Sequence, residues 1–319
     1  MSSTDEETAL NENNSTDNSE DLTSDEAVNY TFLIKGKLSV NSLRYEKADI
    51  KNISALFNFR DSVYIIDKFT FDAFKGKMNS SIRVELKPED EMKINTKHIV
   101  EEMDVKQLLE DFDNFSEYGN SYIQSNNLSG ILSTQLYTQM VIVGDSLLMN
   151  KMRIKGAFKI EKGGIYNYKP AMDMAEFTKL KELDNIRFKT LESKMFMFKN
   201  KLYIPSTDIV SSALDVSFFG MESMGDDYEY HVDLRLREVL KGKSKKLLKR
   251  QAETGDDISD KDLDRGSVKL IYADIDGKSK VGFDSKKAIR KMQLKIKVQN
   301  QMLDLIFNPK IVSFDTGVK

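Results

Sequence analysis

The stretch YEYHVDLRL, Tyr228–Leu236, decides how the rest of the chain is read. Tyr228, Tyr230, Val232, Leu234 and Leu236 alternate with Glu229, His231, Asp233 and Arg235 without a break. Successive side chains of a β-strand point to opposite faces, so this is a strand with one apolar and one polar side. His231 falls on the polar side. A solvated or ion-paired imidazole is expected there rather than a catalytic base, because no nucleophile stands beside it.

The same period recurs outward from that strand. Phe32, Ile34, Leu38 and Val40 oppose Lys35, Lys37 and Ser39, and Ile53, Ala55, Phe57 and Phe59 repeat the pattern. Val63, Ile65, Phe69 and Phe71 follow, then Ile82, Val84 and Leu86 against Ser81, Arg83 and Glu85. Further alternations run through 128–143, 147–162, 195–198, 202–204 and 214–218, and closing strands are expected at 268–272, 292–298 and 303–307. Alternation of this kind marks half-buried antiparallel strands. The breaks carry Asn, Asp, Lys and Gly, as turns do.

Two stretches leave the period. In 99–115, Val100, Met103, Leu108, Leu109 and Phe112 recur at three and four, which predicts an amphipathic helix of roughly four turns. His98 would stand at its start as a solvated surface residue. The second stretch, 154–177, reads IKGAFKIEKGGIYNYKPAMDMAEF. It predicts a strand, a tight hairpin turn at Gly163–Gly164 and, after Pro170, a small helix over 172–183. Short helices of this kind would cap the open end or edge of a sheet, where unpaired backbone invites aggregation.

Composition narrows the chemistry. The 319 residues are 40% hydrophobic and 31% charged, and no apolar run is long enough for a spanning helix. Cysteine is absent and there are two histidines, so disulfides, thiolate zinc sites and multi-imidazole metal sites are excluded. Residues 1–28 hold nine acids and no Lys or Arg, which reads as a disordered acidic segment. The remaining 42 acids face 48 basic residues, an excess of about six positive charges. The opening also lacks the basic start and apolar run of a signal peptide. The protein is therefore cytoplasmic, or its targeting segment lies elsewhere. A β-rich domain is expected over 29–310, interrupted by a charged helical or loop insertion over 238–264 and followed by a tail, 311–319. The stretch 237–250 carries seven basic residues and one acid. It reads as a solvated linker helix or as a basic helix touching anionic lipid head groups.

Catalytic motifs fail on spacing. GKS at 277–279 lacks the glycine a phosphate loop needs five residues earlier, where Tyr272 stands. DIDG at 274–277 lacks the later carboxylates of a calcium loop. No dinucleotide fingerprint or aromatic-basic platform for nucleic acid is present. No cofactor, metal or enzymatic activity is expected. A hydrolase built on His231 is disfavoured because that residue lacks visible partners. What remains is a mainly β chain. Its strand faces pack as a sandwich, or one long curved, largely antiparallel sheet keeps an apolar groove.

Two segments carry a family resemblance. They are GKLSVNSLRYEKADIKNISALFNFRDSVYIIDKFTFDAFKGKMNSSIRVEL, 36–86, and GAFKIEKGGIYNYKP with its following helix and IRFKTLESKMFMFKNKLYIPSTDIVSSALDVSFFG, 156–220. Their order of strands, glycine steps and one small helix resembles the C-terminal region of the bacterial AsmA-like family, relatives of TamB and of bridge-like lipid transfer proteins, in a Bacteroidetes-type form. The resemblance covers roughly 30–310. It implies a β-groove or open-barrel-like sheet with a few short capping helices. It also implies a periplasmic protein anchored in the inner membrane by an N-terminal helix that this sequence does not contain, with a role in outer-membrane biogenesis. Partners implied are phospholipid or another acyl lipid, the membrane surface and envelope proteins, with no nucleic acid. Leu214, Val216, Phe218, Tyr230, Val232, Leu234 and Leu236 are the candidate groove residues. The alternative is an interaction module that assists outer-membrane protein assembly without carrying lipid.

Overall fold

The computed structural model describes residues 33–114, 123–211, 214–223, 227–236, 267–275 and 277–310, all within one compact unit, Phe32–Lys319. In them the alternating segments form a single antiparallel sheet of fourteen strands. The first five are β1 (Leu33–Tyr45), β2 (Ala48–Arg60), β3 (Val63–Ala73), β4 (Gly76–Lys87) and β5 (Glu91–Asp104). After helix α1 (Val105–Asp111) come β6 (Leu128–Val143), the two-residue β7 (Ser146–Leu147) and β8 (Arg153–Tyr166). Helix α2 (Lys169–Thr178) and a 3-10 turn at Lys181–Leu183 lead to β9 (Asn185–Phe198), β10 (Lys201–Ser211), β11 (Leu214–Ser223) and β12 (Tyr228–Leu236). The last elements are β13 (Ser267–Ile275), β14 (Lys278–Phe283) and helix α3 (Lys286–Asp304). Every strand pairs with its neighbour in sequence, save that β7 flanks β6 and β8 takes the next place. The two outer strands do not meet, so the sheet is not closed into a barrel.

Local chemistry explains the turns and the curvature. Asp61–Ser62, Phe74–Lys75 and Lys199–Asn200 are two-residue connections with positive φ at both positions. That mirror-image turn matches the right-handed twist of the flanking strands. Asn52, Lys68, Glu102 and Lys162 also have positive φ, each where the strand register shifts. These are bulges, and a bulge bends its strand and strengthens the twist. The glycine pair is not the turn of a hairpin. Gly163 and Gly164 continue β8 beyond the bulge at Lys162, and a Cβ on Gly163 would stand 2.2 Å from the Ser129 carbonyl oxygen. Glycine there lets β6 pass close by.

Register places one face of the sheet without ambiguity. A row of directly paired residues runs Phe71, Met78, Val100, Thr134, Phe158, Ser193, Thr207, Phe218, Val232, Leu270 and Phe283, from β3 to β14. A second row, from β1 to β6, is Ile34, Phe59, Tyr64, Val84, Ile94 and Met140. This is the inner face. Lys35, Asn58, Arg83, Lys93 and Gln139 lie on the other side.

The inner face is rolled around α2. One hydrophobic cluster joins Ala171, Met174 and Ala175 of α2 to residues on strands from Leu128 of β6 to Leu270 of β13, with Phe283 of β14 against it. In a flat sheet β6 and β14 would be seven intervals, about 34 Å, apart. A helix only ~10 Å across cannot bridge that span unless the sheet curls. Met292, Ile296 and Leu303 of α3 pack on the opposite, outer face against Phe196, Phe198, Tyr203 and Met221. The parity of β11 separates the two helices: Phe218 belongs to the α2 side and Met221 to the α3 side.

Several sequence expectations change. Residues 99–104 are strand, not helix, and α1 spans only Val105–Asp111. Val100 and Met103 stand three apart on the inner face because the bulge at Glu102 adds a residue, so a bulge imitated helical spacing. Asp104 caps α1 by accepting from the Gln107 amide at 3.1 Å. The small helix begins earlier than expected, at Lys169, with Pro170 in its first turn, and ends where Lys179 turns left-handed. Residues 292–298 and 303–304 are helical, not strands. Met292, Ile296 and Leu303 are its buried side, and Leu294 and Val298 are exposed. Lys, Arg, Met, Gln and Leu are strong helix formers, and Ser285 caps the first turn by accepting from the Ala288 amide. The segment 1–28, the insertion 238–264 with the basic stretch, and the tail 311–319 lie outside the described residues.

Candidate functional site

The rolled sheet is a gutter, and one end of it is plugged. β5 runs directly into α1 and β8 leads through a short link into α2, and these two strands are parallel to each other in the sheet order. Both helices therefore sit at the same end. There Leu108 and Phe112 pack on a cluster of Ala48, Ala73, Phe74, Val100 and Met103, while α2 and the 3-10 turn fill the space inside β6 to β14. The Phe112 ring lies 5.8 Å from Phe74 and 6.4 Å from Tyr45. Asp173 of α2 accepts from Tyr272 of β13 at 3.1 Å, which anchors the plug to the wall, and pairs within the helix with Lys169 at 2.9 Å. The helices thus close an end of the rolled sheet, as short capping elements would.

At the other end of β1 to β8 the inner face stays accessible. Ile34 is 54% exposed, Tyr64 43%, Leu86 42% and Phe57 41%, although all four belong to the apolar side of their strands. Phe59, Ile66, Ile82, Val84, Ile94, Met140, Ile142 and Ile154 are half-buried among them. Phe57 lays its ring over Gly36, where a Cβ would come within 2.2 Å of the ring. Such a contiguous apolar surface marks a binding site more often than a solvated wall.

Five of the seven candidate groove residues come together at the plugged end. Leu214, Val216, Phe218, Val232 and Leu234 line the inner face beneath α2, with Leu214 1% and Leu234 0% exposed. Tyr230 donates to Glu222 at 3.0 Å, and Leu236 is paired with Leu214 in the register. Val216, Phe218, Val232 and Leu234 therefore contact the protein's own helix-filled core. The open surface is upstream, on β1 to β8, and alternation could not show this because both halves alternate alike.

Two polar pairs meet across strands on the inner face. Ser80 and His98 are directly paired across β4 and β5, with Ser80 Oγ 2.8 Å from His98 Nδ1. Thr96 and Thr138 pair across β5 and β6, their hydroxyls 2.7 Å apart. His98 is thus neither on a helix nor solvated: it is half-buried in mid-strand, and burial holds its pKa below the usual imidazole value. Burial raises the Glu222 carboxyl, against the hydrogen bond from Tyr230.

His231 lies on the outer face as its parity requires, but not in solvent. It is 2% exposed. Its Nδ1 is 2.6 Å from Asp284 Oδ2, just before α3, its Nε2 is 3.0 Å from Glu229 Oε1, and its ring stacks on Phe219. Burial opposes its charged form, yet the two carboxylates outweigh that and raise its pKa. Both ring nitrogens are occupied, so His231 links β12 to the start of α3.

Among the described residues no helix is long and apolar enough to cross a membrane, and no group of three or more His, Cys, Asp or Glu could hold a metal. No family model, curated protein or solved structure matches the chain.

Proposed function

We propose that this chain is a non-enzymatic cell-envelope protein of the AsmA-like type, which binds or conducts acyl lipid along its apolar gutter and supports outer-membrane biogenesis from the periplasm. One observation carries the reading: an inner face that is apolar from β1 to β8, open at one end and plugged by α1 and α2 at the other. Burying one methylene gains about 0.8 kcal/mol, so an acyl chain of a dozen carbons laid on this face is held without any charged contact. Lipid extraction and mass spectrometry on detergent-free protein tests it. Stoichiometric acyl lipid is expected, and Phe57→Asp with Tyr64→Asp should abolish it. A stable protein that carries no lipid and acquires none from phospholipid vesicles would overturn the reading.

A second reading rests on the edge of the sheet. Among the described residues β1, thirteen residues long, is paired on one side only, and an extended segment of another protein can add to such an edge through its main chain. In that case the protein is an interaction module for envelope proteins. Mutations in the gutter would then leave partner binding intact, whereas proline substitutions along β1 would remove it.

A further inference from the structure

The inner face carries, in mid-strand, a hydrogen-bonding atom for which the protein supplies no partner. Ser80 is 2% exposed, and its hydroxyl has His98 as its one side-chain partner. A buried hydroxyl hydrogen requires an acceptor. If His98 Nδ1 carried the proton and donated to Ser80, the serine hydrogen would be left orphaned. The serine therefore donates to Nδ1, and the imidazole proton is on Nε2. Burial keeps the ring neutral near pH 7, which agrees with that tautomer. His98 makes no other side-chain bond, and Nε2 is not among the buried atoms that lack partners. An N–H donor thus stands free on a largely apolar wall. Its row reads Phe69, Ser80, His98, Leu136 and Gly156. The next row towards the plug, Met78 and Val100, packs in the cluster that meets α1.

We propose that His98 Nε2–H is a recognition site for an oxygen carried by the apolar ligand, the carbonyl of an acyl ester, received at the deep end of the open gutter. The proposal rests on the lipid reading above and adds a selectivity: esters over plain alkyl chains of the same size. A neutral imidazole suits a neutral carbonyl. The buried Ser80 fixes its tautomer, and of the neighbouring Thr96 and Thr138 hydroxyls one donates to the other. Ser80 is too deeply buried to act as a nucleophile, so the pair binds and does not cleave.

The two imidazoles make the test direct. Protein labelled with 15N in histidine and 13C in isoleucine and leucine methyls is titrated with methyl decanoate, and separately with tridecane, which has the same number of heavy atoms. The expected result is an Nε2–H tautomer at His98, movement of its Nε2 signal by the ester alone, and movement of the Ile82 and Leu136 methyls by both ligands. His231, paired at both nitrogens, should stay still. His98→Phe should weaken the ester about fivefold, the loss of one hydrogen bond, and leave tridecane unchanged. If both ligands move the methyls and neither moves Nε2, the ester site is wrong and the lipid reading stands. If neither ligand moves the methyls, both are wrong.

Discussion

The two halves of the sheet are written in the same alternating pattern and end in different environments. From β9 to β14 the inner face is filled by α2, and over β9 to β11 the outer face is backed by α3, so Leu214, Leu234 and Leu270 vanish from solvent. From β1 to β4 residues of the same kind, such as Ile34, Phe57 and Tyr64, remain exposed. An apolar strand face reports only that something apolar belongs on it. Whether that partner is the chain itself or a ligand depends on where the few helices land.

The comparison breaks most sharply under a buried charge. Leu234→Asp should cost at least ~4 kcal/mol in urea unfolding, since its carboxylate would be stranded in a packed core. Phe57→Asp should cost no more than ~1 kcal/mol, because water already reaches that site. Equal losses would mean that the upstream half is covered. Breaking the buried link of His231 with His231→Gln should cost ~3 kcal/mol, by leaving Asp284 without its partner. Truncations sharpen the contrast on a smaller scale: Met174→Ala in α2 should lose ~2 kcal/mol or more, and Ile34→Ala at the open end well under 1 kcal/mol.

Acid titration gives the finest test. The folded pKa of His231 is raised, so its stabilisation is complete below the unfolded value near 6.5 and is lost as pH rises through the higher folded value. The stability gap between the protein and His231→Gln should therefore narrow from pH 5.5 to 8.5. The folded pKa of His98 is lowered, so it costs stability as pH falls below about 6.5. In 15N spectra the two imidazoles should titrate on opposite sides of that value. Coincident midpoints would contradict both environments.

Much of the sheet was legible in the sequence because period two is a local property. Tyr228–Leu236 pairs residue for residue as its alternation requires. The failures arose where local pattern has two causes. At Val100 and Met103 a bulge produced the spacing of a helix, and in MQLKIKV alternation coexisted with strong helix formers that prevailed once Met292 and Ile296 found Phe196 and Tyr203. The candidate site was legible as a face but not as a place. Nothing local tells Phe218 that α2 will cover it, or Tyr64 that no described helix will. The Ser80–His98 pair was invisible for a similar reason, since eighteen residues of separation become contact only through the β4–β5 register.

The neighbour-to-neighbour order of the strands has a consequence for growth of the molecule. No strand is inserted between earlier ones, so the topology sets no fixed number of them. Removing or duplicating an up-and-down pair such as β3–β4 returns the chain to the same end, facing the same way, and changes the breadth of the trough, measured across its strands, by two strand spacings, about 9.6 Å. The breadth of the apolar face is then a quantity that selection can adjust hairpin by hairpin, while the plug and its anchoring are left as they are.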